Sequence, residues 1–325
     1  MAPIAPVGTA WQDFPVNDHR RMLLDTASLY FRAFHGVPDT VRAPDGSPVN
    51  AVRGLLDMIA RLVGEFEPTD LVACWDDDWR PQWRVDLIPS YKAHRVAHDT
   101  DAGSIETVPD LLEPQIPLIR EVLSLLGIPV VGAAGYEADD VIGTLASRSR
   151  MPVDIVTGDR DLIQLVDDSR AVRVIYTGRG MSNLELLTDA VVEQKYGVSP
   201  SRYVDFAVLR GDPSDGLPGV SGIGEKTAVA LLNEFGSLDG IVAAAADPDV
   251  ALGAAVRAKV TAAAEYLAVA PTVVEVARGI ELDPHDGRIA PLTTQNAAAL
   301  DALAQTWGLG SSLERARKAL AAAVD

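Results

Sequence analysis

A single cysteine and five histidines in 325 residues leave little room for disulfides or soft-metal chemistry. Cys74 has no partner for an intrachain bridge, and its place in the apolar run LVACWD suits a small core residue better than a reactive thiol. No apolar stretch approaches a membrane span, and the N-terminal MAPIAPVGTAWQDFPVNDHR lacks the basic-then-apolar order of a signal peptide. No membrane partner and a cytoplasmic location are therefore expected. An excess of basic residues is missing too. With 28 Lys and Arg against 46 Asp and Glu, the formal charge is −18, opposite in sign to the usual footprint of a nucleic-acid binder. Net charge is a blunt measure, however, and the placement of the acids matters more than their number.

What the chain does have is acid in doublets. Glu137, Asp139 and Asp140 fall in GYEADD, Asp159 and Asp161 in TGDRD, and Asp212 and Asp215 in GDPSDG. Asp25 closes the run MLLD and Asp76 closes LVACWD, as Asp159 closes VDIVTGD. With neither His nor Cys among these nine, the implied site is all oxygen, suited to magnesium or manganese rather than zinc. Each motif also has a plainer reading. Acids favour the first turn of a helix, Asp159 could simply cap one, and GDPSDG is ordinary turn chemistry. Three acids in four positions repel one another unless a cation holds them together, which tilts the balance toward metal.

Residues 1–19 carry Pro3, Pro6 and Pro15 without periodicity and are expected as a loose lead-in. Buried strands are expected at 22–25, 71–76, 128–131, 153–159 and 172–178. Helices should begin near residue 27 and cover 50–66, 112–126, 137–149 and 160–166, an alternation that implies a mainly parallel, covered sheet. Ligand sites in such sheets lie at the carboxyl ends of strands, where Asp25, Asp76 and Asp159 fall. After about residue 188 the pattern is helical. The long strandless stretch from 77 to 110 contains Trp79, Arg80, Trp83, Arg84, Tyr91, Lys92 and Arg95. It reads equally as a solvated loop or as a stacking, cationic surface for single-stranded nucleic acid. GVSGIGEKTA sets Gly219, Gly222 and Gly224 before a helix opening with Glu225, Lys226 and Thr227. That geometry can offer N–H groups to a phosphate, and is also common helix-hairpin punctuation.

Taken together, LLDTASLYFRAFH, ACWD followed by WR and PSYKAHR, GYEADDVIGTLA, VTGDRDLIQLV and LRGDPSDGLPGVSGIGEKTA resemble the 5'-nuclease (flap endonuclease) family, in the bacterial form found at the N-terminus of DNA polymerase I. The resemblance runs from Arg21 to about residue 280. It implies a PIN-like α/β core at 20–187 with a helical arch at about 77–110, and a helical region at 188–280 containing a helix-three-turn-helix element at about 211–236. Residues 281–325 form an extension outside the resemblance and without an assignable role. Thr26 stands where the family commonly has Gly, and Gly216 where bacterial members usually have Asn. Neither change removes an acid.

The resemblance also implies a site. Two or three divalent ions, magnesium or manganese, would be held by all nine acids. Asp25, Asp76, Glu137 and Asp139 would lean toward one ion, Asp140, Asp159, Asp161 and Asp215 toward another, with Asp212 close by. Lys92 and Arg95 would face the scissile phosphate from the arch base. Arg32, Arg84, Tyr91, Gly222, Gly224, Lys226 and Thr227 would meet DNA, with potassium at the helix-three-turn-helix element. The implied activity is structure-specific 5' nuclease action, both 5'-flap endonuclease and 5'-3' exonuclease, removing flaps and primers in replication and repair. Its substrate would be flapped, nicked or gapped DNA, RNA primers included, and the enzyme a nucleoid-associated monomer. Two alternatives stay open: a junction-binding relative without catalysis, against which the intact acidic set argues, and a PIN-type ribonuclease, which has no reason to carry an arch and a glycine hairpin.

Overall fold

The computed structural model describes residues 19–100 and 103–324. All but the last residue of the lead-in expected at 1–19 lies outside them. The described strands are β1 (Arg21–Asp25), β2 (Asp70–Cys74), β3 (Val96–Thr100), β4 (Gly103–Glu106), β5 (Val130–Val131), β6 (Val153–Thr157), β7 (Val172–Tyr176) and β8 (Glu185–Leu187). Six of them form one sheet in the order β5-β2-β1-β6-β7-β8. The first five run parallel, as expected, while β8 pairs antiparallel with β7.

Alternation along β1 sorts the core into two faces. Leu23 points to one side, and Met22 and Leu24 to the other. The Met22 and Leu24 face is covered by α1 (Thr26–Gly36), α2 (Asn50–Phe66) and a helix that follows β3 and β4. Before that helix comes the short α3 (Gln82–Leu87), and the covering helix itself is α4 (Gln115–Leu125). On the Leu23 face lies α5 (Ala138–Arg148), backed by the helical region: α6 (Asp189–Tyr196), α7 (Tyr203–Arg210), α8 (Glu225–Phe235), α9 (Leu238–Ala246), α10 (Ala254–Ala262) and α11 (Ala264–Val274).

Two expectations are corrected. Residues 160–166 do not make an α-helix; Asp161–Leu165 is a 3-10 turn, and it buries Leu162, Ile163 and Leu165. The segment expected to form a helical arch does not do so. Beyond α3 and a 3-10 turn at Ala93–Arg95, it folds as the antiparallel β3–β4 hairpin. Short polar side chains at the facing strand ends satisfy local groups and so compete with helix: Thr100 Oγ1 donates to the Gly103 carbonyl at 2.8 Å and Ser104 Oγ to Asp99 Oδ1 at 2.7 Å. Gly103 itself sits at φ +130°, outside any helix. Trp79 Nε1 and Arg80 then pin the hairpin through the carbonyl and hydroxyl of Ser104, at 2.9 and 3.0 Å.

Residues 281–324 pack back on the α/β core, which the sequence did not reveal. Gly287 and Ile289 pair with Leu71 and Thr69 beside the start of β2. Two helices follow, α12 (Thr294–Trp307) and α13 (Gly310–Ala322). Helix α13 packs along α2 with Leu313, Ala316 and Leu320 buried at helical spacing, and Ser312 and Arg315 both reach Asp57 of α2.

Candidate active site

Strand ends and helix starts bring the predicted acids to the carboxyl edge of the sheet. Asp25 ends β1 and its Oδ1 accepts from Ser28 N at 3.2 Å, capping α1. Its Oδ2 accepts from Thr157 Oγ1 at 2.6 Å, which ties β1 to the end of β6. Asp76 follows β2 and accepts from Ala138 N at 2.8 Å, at the first turn of α5. Asp159 follows β6 and accepts from Asp161 N at 2.9 Å. Asp25 thus caps α1, whereas Asp159 does not cap the 3-10 turn that follows it, whose N-cap is Arg160. Asp25, Asp76, Asp139 and Asp159 line one cavity of about 230 Å³ together with Trp79, Lys92, Arg95 and Gly158.

The electrostatics of this cavity are unbalanced. Burial pushes the Asp25 carboxyl up to about 7, and the nearby Asp76 and Asp159 add to the effect. Burial likewise raises Glu137 to about 7, against the pull of Lys92 and Arg84. Asp139 and Asp161 are pushed well above the carboxylate range by burial and by Asp159, and Asp159 upward by burial and by Asp215. Lys92 loses solvation too, but Glu137, Tyr91, Asp215 and Asp139 surround it and hold it protonated. Asp161 Oδ1 is buried without any hydrogen-bond partner. Among the described residues no three of these groups already form a closed set of metal ligands. A crowded, all-oxygen set with an orphaned buried acceptor nevertheless fits hard divalent cations, whose charge would relieve each of these strains.

Two cations stand at the rim, each already on an acid. Lys92 Nζ lies 2.9 Å from Glu137 Oε1, and Arg95 NH2 lies 2.8 Å from Asp215 Oδ1. Asp212 turns its Oδ1 to Ser214 N at 2.9 Å and stays within the field of Asp159 and Asp161. Arg32 is half-buried, with its guanidinium beside Gly158, where an added Cβ would meet NH2 at 3.1 Å.

Three predicted site residues belong elsewhere. Arg84, expected on DNA, is 2% exposed and forked onto Asp140. Tyr91, also expected on DNA, is 3% exposed with its hydroxyl 2.8 Å from Glu137 Oε2. Asp140, expected on metal, is fully buried and turns both oxygens to Arg84 and to backbone N–H groups. One residue was missed. Glu106, at the end of β4, lines the cavity close to Arg95, Asp76 and Lys92. It carried no motif signal, because its segment was read as arch.

The glycine hairpin lies between α7 and α8. Gly211 and Gly219 cross so closely that a Cβ on Gly211 would lie 2.7 Å from Gly219 N, and both have positive φ. Beyond the crossing, Gly222, Gly224 and Lys226 are exposed at the start of α8, with Thr227 half-buried beside them. The Gly222 carbonyl accepts from Lys259 Nζ at 2.9 Å.

Comparison with known proteins agrees with this architecture. Residues 20–197 match the 5'-3' exonuclease N-terminal resolvase-like domain, and residues 198–295 match the 5'-3' exonuclease C-terminal SAM fold. The chain belongs to the 5'-3' exonuclease family. It is 62% identical over 295 residues to a 5'-3' exonuclease of Streptomyces coelicolor, covering 90% of this chain and 98% of that one. A 5'-3' exonuclease of Mycobacterium tuberculosis is 50% identical over 309 residues, covering 92% and 97%. DNA polymerase I of Mycobacterium bovis is 43% identical over 225 residues, which is 68% of this chain but 24% of the polymerase. Among solved structures, T5 5'-exonuclease with bound divalent metal ions superposes with a TM-score of 0.62 at 18% identity, covering 94% of this chain and all of that one, a likeness of fold.

Proposed function

We propose that this protein is a divalent-metal-dependent, structure-specific 5' nuclease that hydrolyses DNA phosphodiesters at flaps, nicks and gaps. The observation that carries the reading is the convergence of Asp25, Asp76, Asp139 and Asp159, from separate segments, on one cavity with Lys92 and Arg95 at its rim. Two or three magnesium or manganese ions held by these acids and by Glu137, Asp161 and Asp215 would supply the activated water and offset charge on the departing 3' oxygen. Lys92 and Arg95 place fixed positive charge beside the phosphate as its charge develops. Their present partners, Glu137 and Asp215, are acids that a cation would satisfy instead. Arg32, beside Gly158, holds the next phosphate along the strand. Gly222, Gly224, Lys226 and Thr227 present N–H groups and charge to the backbone of the flanking duplex, a contact blind to sequence and weakened by salt. A potassium ion at the hairpin would be held by carbonyls of its loop, with the Gly222 oxygen shared with Lys259.

In this reading residues 20–187 cut and residues 188–280 hold the duplex. The enzyme acts as a monomer in the cytoplasm, at the nucleoid, on flaps and RNA primers during replication and repair. The decisive experiment maps products from 5'-labelled flap, nick and gap DNA, and from a matched RNA flap, with magnesium, with manganese and with chelator. Products with 5'-phosphate and 3'-hydroxyl ends, formed only with metal, are expected. Cleavage that persists in chelator would sink the metal assignment, and cutting confined to the RNA flap would replace this reading with a ribonuclease.

A further inference from the structure

We propose that the buried Arg84–Asp140 pair is a positioning device that fixes the α5 carboxylates to the helical region, and is neither a phosphate grip nor a metal ligand. The inference rests on the nuclease reading of the cavity. Arg84 NH1 and NH2 each donate to one oxygen of Asp140 at 2.7 Å, the bidentate fork that arginine alone can make. Its Nε donates to the Val273 carbonyl of α11 at 3.0 Å, and its guanidinium lies 4.3 Å from the Trp83 ring centroid. Nothing of the side chain is left for DNA. Asp140 is used up in the same way, since its oxygens also accept from Ala277 N at 2.8 Å and Glu137 N at 3.2 Å. Four donors fill the acceptor capacity of a carboxylate, so a metal at Asp140 would have to break the fork.

The pair is part of a longer clasp. The stretch 273–280 leaves α11 outside the described strands, and its backbone is satisfied by side chains. Gln164 takes the Val274 carbonyl at 3.0 Å and accepts from Val276 N at 3.1 Å. Thr144 donates to the Ala277 carbonyl at 3.3 Å. Asp140 and Thr144 belong to the helix that presents Glu137 and Asp139, and Gln164 to the turn that presents Asp159 and Asp161. The helical region is thus hydrogen-bonded to the two segments that supply Asp139 and Asp159 to the cavity. Through Glu137 the clasp reaches the cavity directly, because Arg84 NH1 lies 3.5 Å from Glu137 Oε2 while Lys92 holds Oε1. A shift of the fork would move the first turn of α5, and with it Glu137 and Asp139.

The test compares Arg84→Met, Arg84→Lys, Asp140→Asn and the double variant Arg84→Met/Asp140→Asn with the wild type. Manganese affinity is read by calorimetry without DNA, flap affinity in chelator, and kcat on a 5'-flap at saturating substrate. Arg84→Met should lower kcat by about 100-fold with flap Kd changed less than about 3-fold, and Arg84→Lys should recover part of kcat. Asp140→Asn should weaken manganese binding no more than about 3-fold beyond Arg84→Met, because both loosen the same fork and neither removes a ligand. The double variant, with no charge left unpaired, should melt above Arg84→Met. Manganese affinity tenfold or more weaker in Asp140→Asn than in Arg84→Met would make Asp140 a ligand and overturn the proposal. Tenfold weaker flap binding by Arg84→Met at unchanged kcat would restore the phosphate grip, and a lower melting temperature alone would reduce the pair to scaffold. A wild type that cuts no flap would sink the nuclease reading instead, and the Asp140→Asn calorimetry would still decide the pair.

Discussion

The two ends of the same sheet treat buried acid in opposite ways. At the amino end Asp154 of β6 is fully buried, and Arg173 and Arg20 close on its carboxylate at 2.6 and 2.7 Å. Beside it Arg21 pairs with Asp70. At the carboxyl end Asp25, Asp76, Asp139 and Asp159 share a cavity with Lys92 and Arg95, both of which are engaged by further acids. The first end is an ion-pair network that closes on itself. The second is left short of positive charge, and a protein tolerates that only where a cation arrives from outside. Burial of an acid is thus uninformative until its partners are counted.

Substitution at the carboxyl end should break the contrast most sharply. Asp159→Asn or Asp139→Asn should reduce flap cleavage by about 1,000-fold or more while flap binding stays within a few-fold, read by single-turnover kinetics and equilibrium binding. Near wild-type cleavage by either variant would end the metal assignment. At the amino end Asp154→Ala should act on stability instead, costing about 3–5 kcal/mol in denaturant melts because Arg20 and Arg173 lose the buried carboxylate they share. Manganese affinity per folded molecule should not change.

The two ends should also separate by pH. In chelator the raised carboxyls of Asp25 and Glu137 make the native state bind more protons than the unfolded chain. Their stabilising contribution is complete below the ordinary carboxylate range and is lost as pH rises toward and through about 7. Melting temperature in chelator should therefore fall between pH 5 and about 8, and magnesium should flatten that slope. A slope unaffected by magnesium would detach these acids from metal. Glu106→Gln should have the smallest effect, lowering kcat by less than about tenfold. A loss comparable to that of Asp159→Asn would promote Glu106 to the core set.

Much of the site was legible in the sequence because it rests on short-range rules. An apolar run that ends on an acid gave Asp25, Asp76 and Asp159, since a parallel strand and its cavity edge are local to the segment. Arg84 was misread because an arginine in an aromatic, basic stretch looks exposed, and the partner that buries it lies 56 residues away inside an acidic motif. The hairpin at β3 and β4 was missed for a related reason. Its residues alternate weakly, and what holds it is Trp79 and Arg80 reaching Ser104 rather than any periodicity of its own. The packing of α13 on α2 depends on complementarity between two amphipathic faces more than 240 positions apart, shown by Arg315 on Asp57. No window of sequence carries it.

The lone thiol follows from the same geometry. Cys74 ends β2 with no exposed surface, and burial near Asp25 and Asp139 pushes its ionisation far up. Since the thiolate is the reactive form, an alkylating reagent added to the folded chain should find nothing to modify until the sheet opens. The rate at which Cys74 is trapped is therefore a clock for opening of the central strands, with no other cysteine to blur it. Run with and without magnesium, that clock would report how firmly the cation closes the edge of the sheet two residues before Asp76, without a single bond of DNA being cut.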